Sequence, residues 1–352
     1  MPSLWSLKIY KMDKLRNIGF YTLEDSRAKA VNDKAPLWRC ELLVTSKCNF
    51  NCPYCRGMRE EDAGDLSWDD ARRILDFWIE DNLQNIRFSG GEPTLWEKLP
   101  YLVAYAKKGG IKRIAISTNG SANISLYRTL INAGVNDFSV SLDSCCAATG
   151  NQMAGNIPVW EKVVENIKKL SALVYTTIGI VITDSNVNEI DNLVSFASRL
   201  GVADIRLITE AQKAKHLPSV SSILKKHPIL VYRLTNFKKG RPIRGIGQND
   251  NNFCPLVLDD MAVLNNKHYP CIIYLREQGK HIGIVGPNMR EERKQWFLNH
   301  NCYKDKICRN NCLDVCVDYN NRVRELNGSI TRRCTRIADK ARQSGELCRY
   351  TY

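Results

Sequence analysis

The sequence predicts an α/β protein: a partial (βα)6 TIM-like barrel followed by a small cysteine-rich C-terminal domain. Two observations carry this. From residue 38 onward, six β-rich apolar runs alternate with amphipathic helical patterns, the signature of parallel βα units. Past residue 250 the alternation stops and cysteines crowd together. A chain of 352 residues, 44% hydrophobic and 25% charged, has room for one large α/β unit and a smaller appended one.

The strands are expected at Trp38 to Thr45, Asn85 to Ser89, Arg113 to Ser117, Asp137 to Leu142, Val174 to Thr183 and Asp204 to Ile208. After the first, Ser67 stands three residues before Asp70 as a helix N-cap with an acidic capping partner. Ala71, Ile74, Leu75, Trp78 and Ile79 then line one helical face, which is core rather than a cofactor box. Asn188 to Leu200 repeats that pattern through Ile190, Leu193, Val194 and Ala197. Residues 1–37 form an N-terminal extension, 38–210 the barrel, 211–250 a connector rich in breakers such as Lys238-Lys239-Gly-Arg-Pro, and 251–352 the cysteine-rich domain and tail. Parallel α/β sheets place ligands at the C-terminal ends of their strands, so those ends are where a site is expected.

Composition narrows the class. There is no apolar run approaching a membrane-spanning length, and the start lacks the continuous apolar core of a secretory signal. A cytoplasmic, reducing location with no membrane partner is expected. Fourteen cysteines in a small secreted domain would mean disulfides; in a large chain without a signal, gathered in two zones, they point to metal. Cys40, Cys145, Cys146, Cys334 and Cys348 are scattered and are taken as ordinary thiols. The net charge of +14 makes a polyanionic partner worth weighing. Its basic residues are dispersed, however, and no stacking or groove-reading module accompanies them, which disfavours a specific nucleic-acid partner.

The most informative motif is the C-x3-C-x2-C triplet Cys48, Cys52 and Cys55 at the end of the first strand. Three thiolates on a four-iron cube leave one iron open to another ligand. A zinc knuckle would show paired C-x2-C units with a fourth Cys or His nearby, and no His lies near this loop. A ferredoxin would begin C-x2-C-x2-C, one residue tighter in its first gap. Three further short motifs follow in order, each at a strand end: Gly90-Gly91-Glu92-Pro93, Ser117-Thr118-Asn119-Gly120 and Ser141-Leu142-Asp143-Ser144.

The triplet followed by these GGEP, STNG and SLDS segments resembles the radical S-adenosylmethionine (radical SAM) superfamily, the last segment resembling its molybdopterin-precursor cyclase branch. The resemblance implies that Cys48, Cys52 and Cys55 ligate three irons of a [4Fe–4S] cluster. SAM would chelate the fourth iron and be cleaved to a 5′-deoxyadenosyl radical that abstracts hydrogen from a substrate. It also implies an electron donor such as flavodoxin or ferredoxin. Gly90 and Gly91 would let the backbone approach the methionine moiety, and Glu92 would accept from its amino group. Ser117, Asn119, Ser141 and Asp143 would form a polar rim around SAM. Tyr54 would stand next to adenine or simply pack, and Val181 with Ile182 matches the fifth-strand position against the same base.

The second zone contains Cys254, Cys271, Cys302, Cys308, Cys312 and Cys316. Spacing by four can put Cys308, Cys312 and Cys316 on one side of a helix, with Cys254 and Cys271 folded back from a hairpin. This layout resembles the SPASM or twitch extensions of radical SAM enzymes, without the C-x2-C of the full SPASM ending. It implies one auxiliary [4Fe–4S] cluster drawn from Cys254, Cys271, Cys308, Cys312 and Cys316, with structural zinc as the competing reading. For substrate, auxiliary-cluster enzymes favour a peptide or protein; the cyclase-like segment and the basic charge favour a nucleotide, RNA or other phosphate-bearing molecule. The peptide is the expectation carried forward. A non-catalytic iron–sulfur or zinc nucleic-acid-binding protein is the remaining alternative.

Overall fold

The computed structural model describes residues 25–57, 63–210 and 227–328. Six parallel strands follow one another in a single sheet: β1 (Arg39–Thr45), β2 (Asn85–Gly90), β3 (Arg113–Thr118), β4 (Asp137–Ser141), β5 (Tyr175–Ile182) and β6 (Asp204–Thr209). Each pairs in parallel with the next, as right-handed βα crossovers require. Each overlaps the run expected for it, because apolar residues recur at every second position on the face that meets the helices, as Ile86 and Phe88, Ile114 and Ile116, and Phe138 and Val140 do. All seven residues of β1 are buried.

The crossover helices form where the apolar period changes from two to about 3.6. Helix α1 (Asp25–Ala30) precedes β1, and α2 (Trp68–Glu80) follows it. Ser67 caps α2, its hydroxyl oxygen accepting from the Asp70 amide at 3.1 Å while donating to the Asp70 carboxylate at 2.7 Å. Ala71, Ile74, Leu75 and Trp78 are buried beneath the cap. Helices α3 (Leu99–Lys108), α4 (Ile124–Ala133), α5 (Ala147–Met153), α6 (Trp160–Ser171) and α7 (Ile190–Arg199) complete the outer layer.

The barrel interior is charged rather than apolar. Asp137 on β4 lies 3.7 Å from Arg87 on β2 and 3.0 Å from Arg113 on β3. Arg206 on β6 donates to Thr177 at 2.9 Å. Such buried groups persist only when paired, so the sheet's inner face is held by a network that pure hydrophobic patterning does not disclose.

The cysteine-rich segment continues the barrel's own sheet, a relation that alternation alone did not reveal. Strand β7 (Asp260–Leu264) pairs in parallel with β1, from Arg39 opposite Asp260 to Leu43 opposite Leu264. It then turns back antiparallel through β8 (Lys267–Tyr269) and β9 (Gly283–Ile284). Arg27 of α1 bonds the Asp259 carboxylate at 2.8 and 2.9 Å, tying the N-terminal extension to this segment. Residues 211–226 of the expected connector, Cys334 and Cys348 lie outside the described residues. The rest of the connector carries α8 (Pro228–Lys238), whose first turn is met by the Asp204 carboxylate, accepting from Ile229 at 2.9 Å.

Four further helices finish the fold: α9 (Ile272–Arg276), α10 (Met289–Asn299), α11 (Lys306–Asn311) and α12 (Asp314–Leu326). Cys308, Cys312 and Cys316 therefore do not share one helix. Cys312 ends α11 with an extended backbone, because the next residue, Leu313, bridges to Arg244 and Gly245 donates to the Cys312 carbonyl.

Candidate functional site at the strand ends

A cavity of about 650 Å³ opens at the C-terminal ends of β1 to β6. Cys48, Cys52, Cys55, Tyr54, Gly90, Gly91, Ser117, Asn119, Ser141 and Asp143 all line it. Residues from four separate motifs thus converge on one space, since every motif follows a strand and the strands are parallel.

The cysteine loop is anchored at its root. Thr45 donates to Asp65 at 2.6 Å, and Lys47 reaches the same carboxylate at 2.7 Å. The Cys48 sulfur accepts from the Phe50 amide and the Cys55 sulfur from the Gly57 amide, each at 3.4 Å. Burial pushes Cys52 up to about 11, against a hydrogen bond from Tyr54 that lowers it. These thiols suit a cation that displaces their protons. Among the described residues the cavity lining carries no fourth thiol and no imidazole, so the donor set fits a cluster with one iron left open.

The second-strand motif also makes contacts within the protein that the sequence did not disclose. Gly90 and Gly91 are required by the cysteine loop itself. A Cβ on Gly90 would stand 2.2 Å from the Thr45 carbonyl oxygen, and one on Gly91 2.2 Å from that of Lys47. The Gly91 and Glu92 amides donate to those carbonyls at 2.8 Å, stitching the two loops together. Glu92 was expected to accept from the methionine amino group, but it does not line the cavity. Its carboxylate, 1% exposed, accepts from the Thr94 amide (3.1 Å), the Thr94 hydroxyl (2.6 Å), the Thr118 hydroxyl (2.7 Å) and the Asn119 amide (2.6 Å). Burial pushes its pKa up. Three of these donors share one oxygen and the Asn119 amide takes the other, so the carboxylate holds the β2 and β3 loops together.

Asn119 donates to Asn49 at 2.9 Å, and Asn49 donates to Ser121 at 2.9 Å, so the third-strand loop also grips the cysteine loop. Tyr54 donates to Asp143, whose other oxygen accepts from the Val181 amide at 2.6 Å. Burial raises Asp143 to about 6 and drives the Tyr54 phenol far above its ordinary value. Val181 lines the cavity; Ile182 packs in the core.

Charged lining residues that went unnoticed in the sequence include Glu41, Arg56, Glu210, Arg244 and Arg276. Glu41 accepts from Ser89 at 2.7 Å. Its charge inside an otherwise apolar strand was the available signal. Arg276 donates to the Gly90 carbonyl at 2.7 Å and to that of Gly57 at 3.2 Å; Arg244 donates to Thr209 and Asn311 carbonyls, both at 3.2 Å. Burial lowers both guanidinium pKa values, Arg244 to about 10. Both stay cationic at neutral pH and favour an anion nearby.

The second zone gathers all six of its described thiols. Cys271 feels Cys316, Cys308 and Cys254; Cys302 neighbours Cys254 and Cys308; Cys312 neighbours Cys316. This grouping is compatible with an auxiliary iron–sulfur cluster. It adds Cys302 and His300 to the candidate ligands, because His300 approaches Cys308 at 3.8 Å.

A family model described as the radical SAM superfamily matches residues 42–197. A relative named "Probable GTP 3',8-cyclase" from Sulfurisphaera tokodaii is 30% identical over 47% of this chain and 53% of its own length. The chain thus spans about half of that relative, and 54% of a Sulfolobus acidocaldarius protein of the same name at 32% identity. A Methanococcus vannielii protein, also so named, is 28% identical over 75% of this chain and 93% of its own. Among solved structures, native anSMEcpe with bound AdoMet superposes on 87% of this chain with a TM-score of 0.55 at 15% identity, a likeness of fold.

Proposed function

The chain belongs to the radical SAM superfamily, and from that premise we propose that it cleaves SAM reductively in the strand-end cavity and acts there on a phosphate-bearing nucleotide. The observation that carries the substrate class is the placing of two half-buried guanidiniums, Arg244 and Arg276, in the wall of the cavity that also holds the cysteine triplet. The relatives named as probable GTP 3',8-cyclases support the same class. The peptide or protein expected from the auxiliary-cluster layout gives way to this reading, since the peptide-bound structural neighbours share only the fold with this chain.

In this reading Cys48, Cys52 and Cys55 hold the [4Fe–4S] cluster. When bound, the cluster and SAM supply a 5′-deoxyadenosyl radical able to take hydrogen from an unactivated C–H bond. The chain's own residues keep that chemistry aligned and dry. Glu92, Gly90 and Gly91 hold the second-strand loop against the cysteine loop. The Asn119–Asn49 and Tyr54–Asp143 bonds pin that loop at two more points. Ser117, Ser141 and Glu41 offer polar contacts to the sugar and amino-acid parts of SAM. Arg244 and Arg276 hold the phosphates by charge-assisted hydrogen bonds. An electron donor of the flavodoxin or ferredoxin kind completes the system.

The test is anaerobic turnover with dithionite, measuring 5′-deoxyadenosine against GTP, other nucleoside triphosphates, guanosine and a peptide set. A triphosphate should stimulate cleavage and be consumed, and Arg244→Ala with Arg276→Ala should raise its KM more than they lower kcat. Equal stimulation by guanosine and GTP would remove the phosphate argument. No 5′-deoxyadenosine under any condition would remove the reaction itself.

A further inference from the structure

Within the second zone, three ligand atoms stand closer together than a four-iron cube allows. His300 Nε2, Cys302 Sγ and Cys308 Sγ all lie within 4.8 Å of one another. Thiolates on different irons of a cube are held apart by the whole cube. Around a single tetrahedral ion, with metal–sulfur bonds of about 2.3 Å and metal–nitrogen bonds of about 2.0 Å, ligand atoms sit roughly 3.5 to 3.8 Å apart. The second spacing is the one this trio can reach with small rotations. The nearest further thiol is that of Cys254, which neighbours Cys302 just outside the tight trio and reaches a common ion by side-chain rotation.

The surroundings build a site rather than a chance contact. Cys302 is 2% exposed, and its amide donates to the Asn252 carbonyl at 2.8 Å, joining the two loops that carry Cys254 and Cys302. The His300 ring stacks on Trp296, centroids 3.9 Å apart and planes within 16°, which fixes its orientation. Asp305 caps α11 by accepting from the Cys308 amide at 2.9 Å, setting that thiol's position. The four donors come from three segments that share no hydrogen-bonded sheet.

We propose that Cys254, His300, Cys302 and Cys308 hold one tetrahedral divalent cation, zinc being the ion that a Cys3His set selects. The site is separate from any iron–sulfur cluster, which Cys271, Cys312 and Cys316 remain to carry. It fixes the start of α11, whose last residue, Asn311, accepts from Arg244. The ion thereby sets where that guanidinium stands in the cavity wall. The inference does not depend on the reaction proposed for the cavity.

The test uses the full chain, reconstituted anaerobically with iron and sulfide, then given zinc or cobalt(II) alone and desalted. About one zinc per chain should remain beside the irons, and cobalt in its place should show the intense visible bands and thiolate charge transfer of a tetrahedral site. His300→Ala and Cys302→Ser should weaken cobalt binding by roughly tenfold or more, and His300→Cys should restore it. Replacing Cys48, Cys52 and Cys55 with Ala should leave the zinc count unchanged, so a failure of the cavity chemistry is read separately. Circular dichroism confirms that each variant is folded. The proposal is overturned by a folded wild type that retains no zinc or cobalt, or by a Cys302→Ser variant that loses about four irons while wild type takes up iron alone.

Discussion

A methyl group added at Gly91 would meet the Lys47 carbonyl oxygen at 2.2 Å, a distance no real Cβ tolerates. The atom that must yield is backbone of the loop carrying Cys48, so strain passes directly to the metal ligands. Gly91→Ala is expected to fold yet lose at least half of the triplet's iron on desalting, with SAM cleavage falling in proportion. Iron analysis and 5′-deoxyadenosine yield check this; wild-type values for both would show that the loop can move aside. Glu92 makes a second prediction. Its carboxylate accepts from four donors, so Glu92→Gln sets an amide N–H₂ against at least one of them. The mismatch should cost on the order of 1–3 kcal/mol, read as a lower denaturation midpoint. A direct role in binding the methionine amino group would instead leave stability unchanged and raise only the KM for SAM. The glycines and Glu92 were legible as a motif, but their work was not. A sequence shows which residues cluster; the carbonyl each one touches is decided by the packing of two loops about 45 residues apart.

At the scale of elements, six strands could be located because β-branched and other apolar residues recur at every second position in short runs separated by helical patterns. Helix α2 was equally plain from its Ser67 cap and its apolar stripe. The break between α11 and α12 was not, because it comes from a bridge between Leu313 and the distant Arg244. Spacing by four cannot register a competitor for the backbone some 70 residues away. Asp204, between β6 and α8, carries a pH prediction. Burial raises its pKa from 3.8 to about 6, although the Ile229, Ile205 and Leu230 amides oppose the shift. The native state therefore binds more protons than the unfolded chain between about pH 4 and 6. Stability falls as pH rises through that window, and this contribution is absent above it. Asp204→Asn should flatten that slope, while its amide N–H₂ faces a backbone N–H that the carboxylate accepted from and lowers stability across the window by on the order of 1–3 kcal/mol. Parallel melting curves of wild type and variant from pH 4 to 7 decide it; identical slopes would mean that Asp204 titrates normally.

For the whole molecule, the main consequence is that the cysteine-rich segment is not detachable. Strand β7 covers the β1 edge along five residue pairs, and Asp259 with Asp260 brings carboxylates to the buried Arg27 and Arg39. Ending the chain at residue 250 would expose the edge of a fully buried strand and strip Arg27 of its carboxylate partner. The truncated protein should aggregate, or elute as large species with strong dye binding, rather than behave as a small barrel. A monomeric, cooperatively melting product spanning residues 1–250 would show that the barrel stands alone.

From the sequence alone came the parallel βα architecture, the cysteine triplet and the motifs at the strand ends, because periodicity and short-range spacing are local properties of the chain. Tertiary structure alone decided that Glu92 braces two loops, that Arg244 and Arg276 enter the cavity wall, and that His300 joins the second thiol zone. Those relations join residues far apart in the chain. They arise when β7 docks beside β1 and carries the C-terminal loops to the strand ends, a placement that buried surface and paired charge determine together.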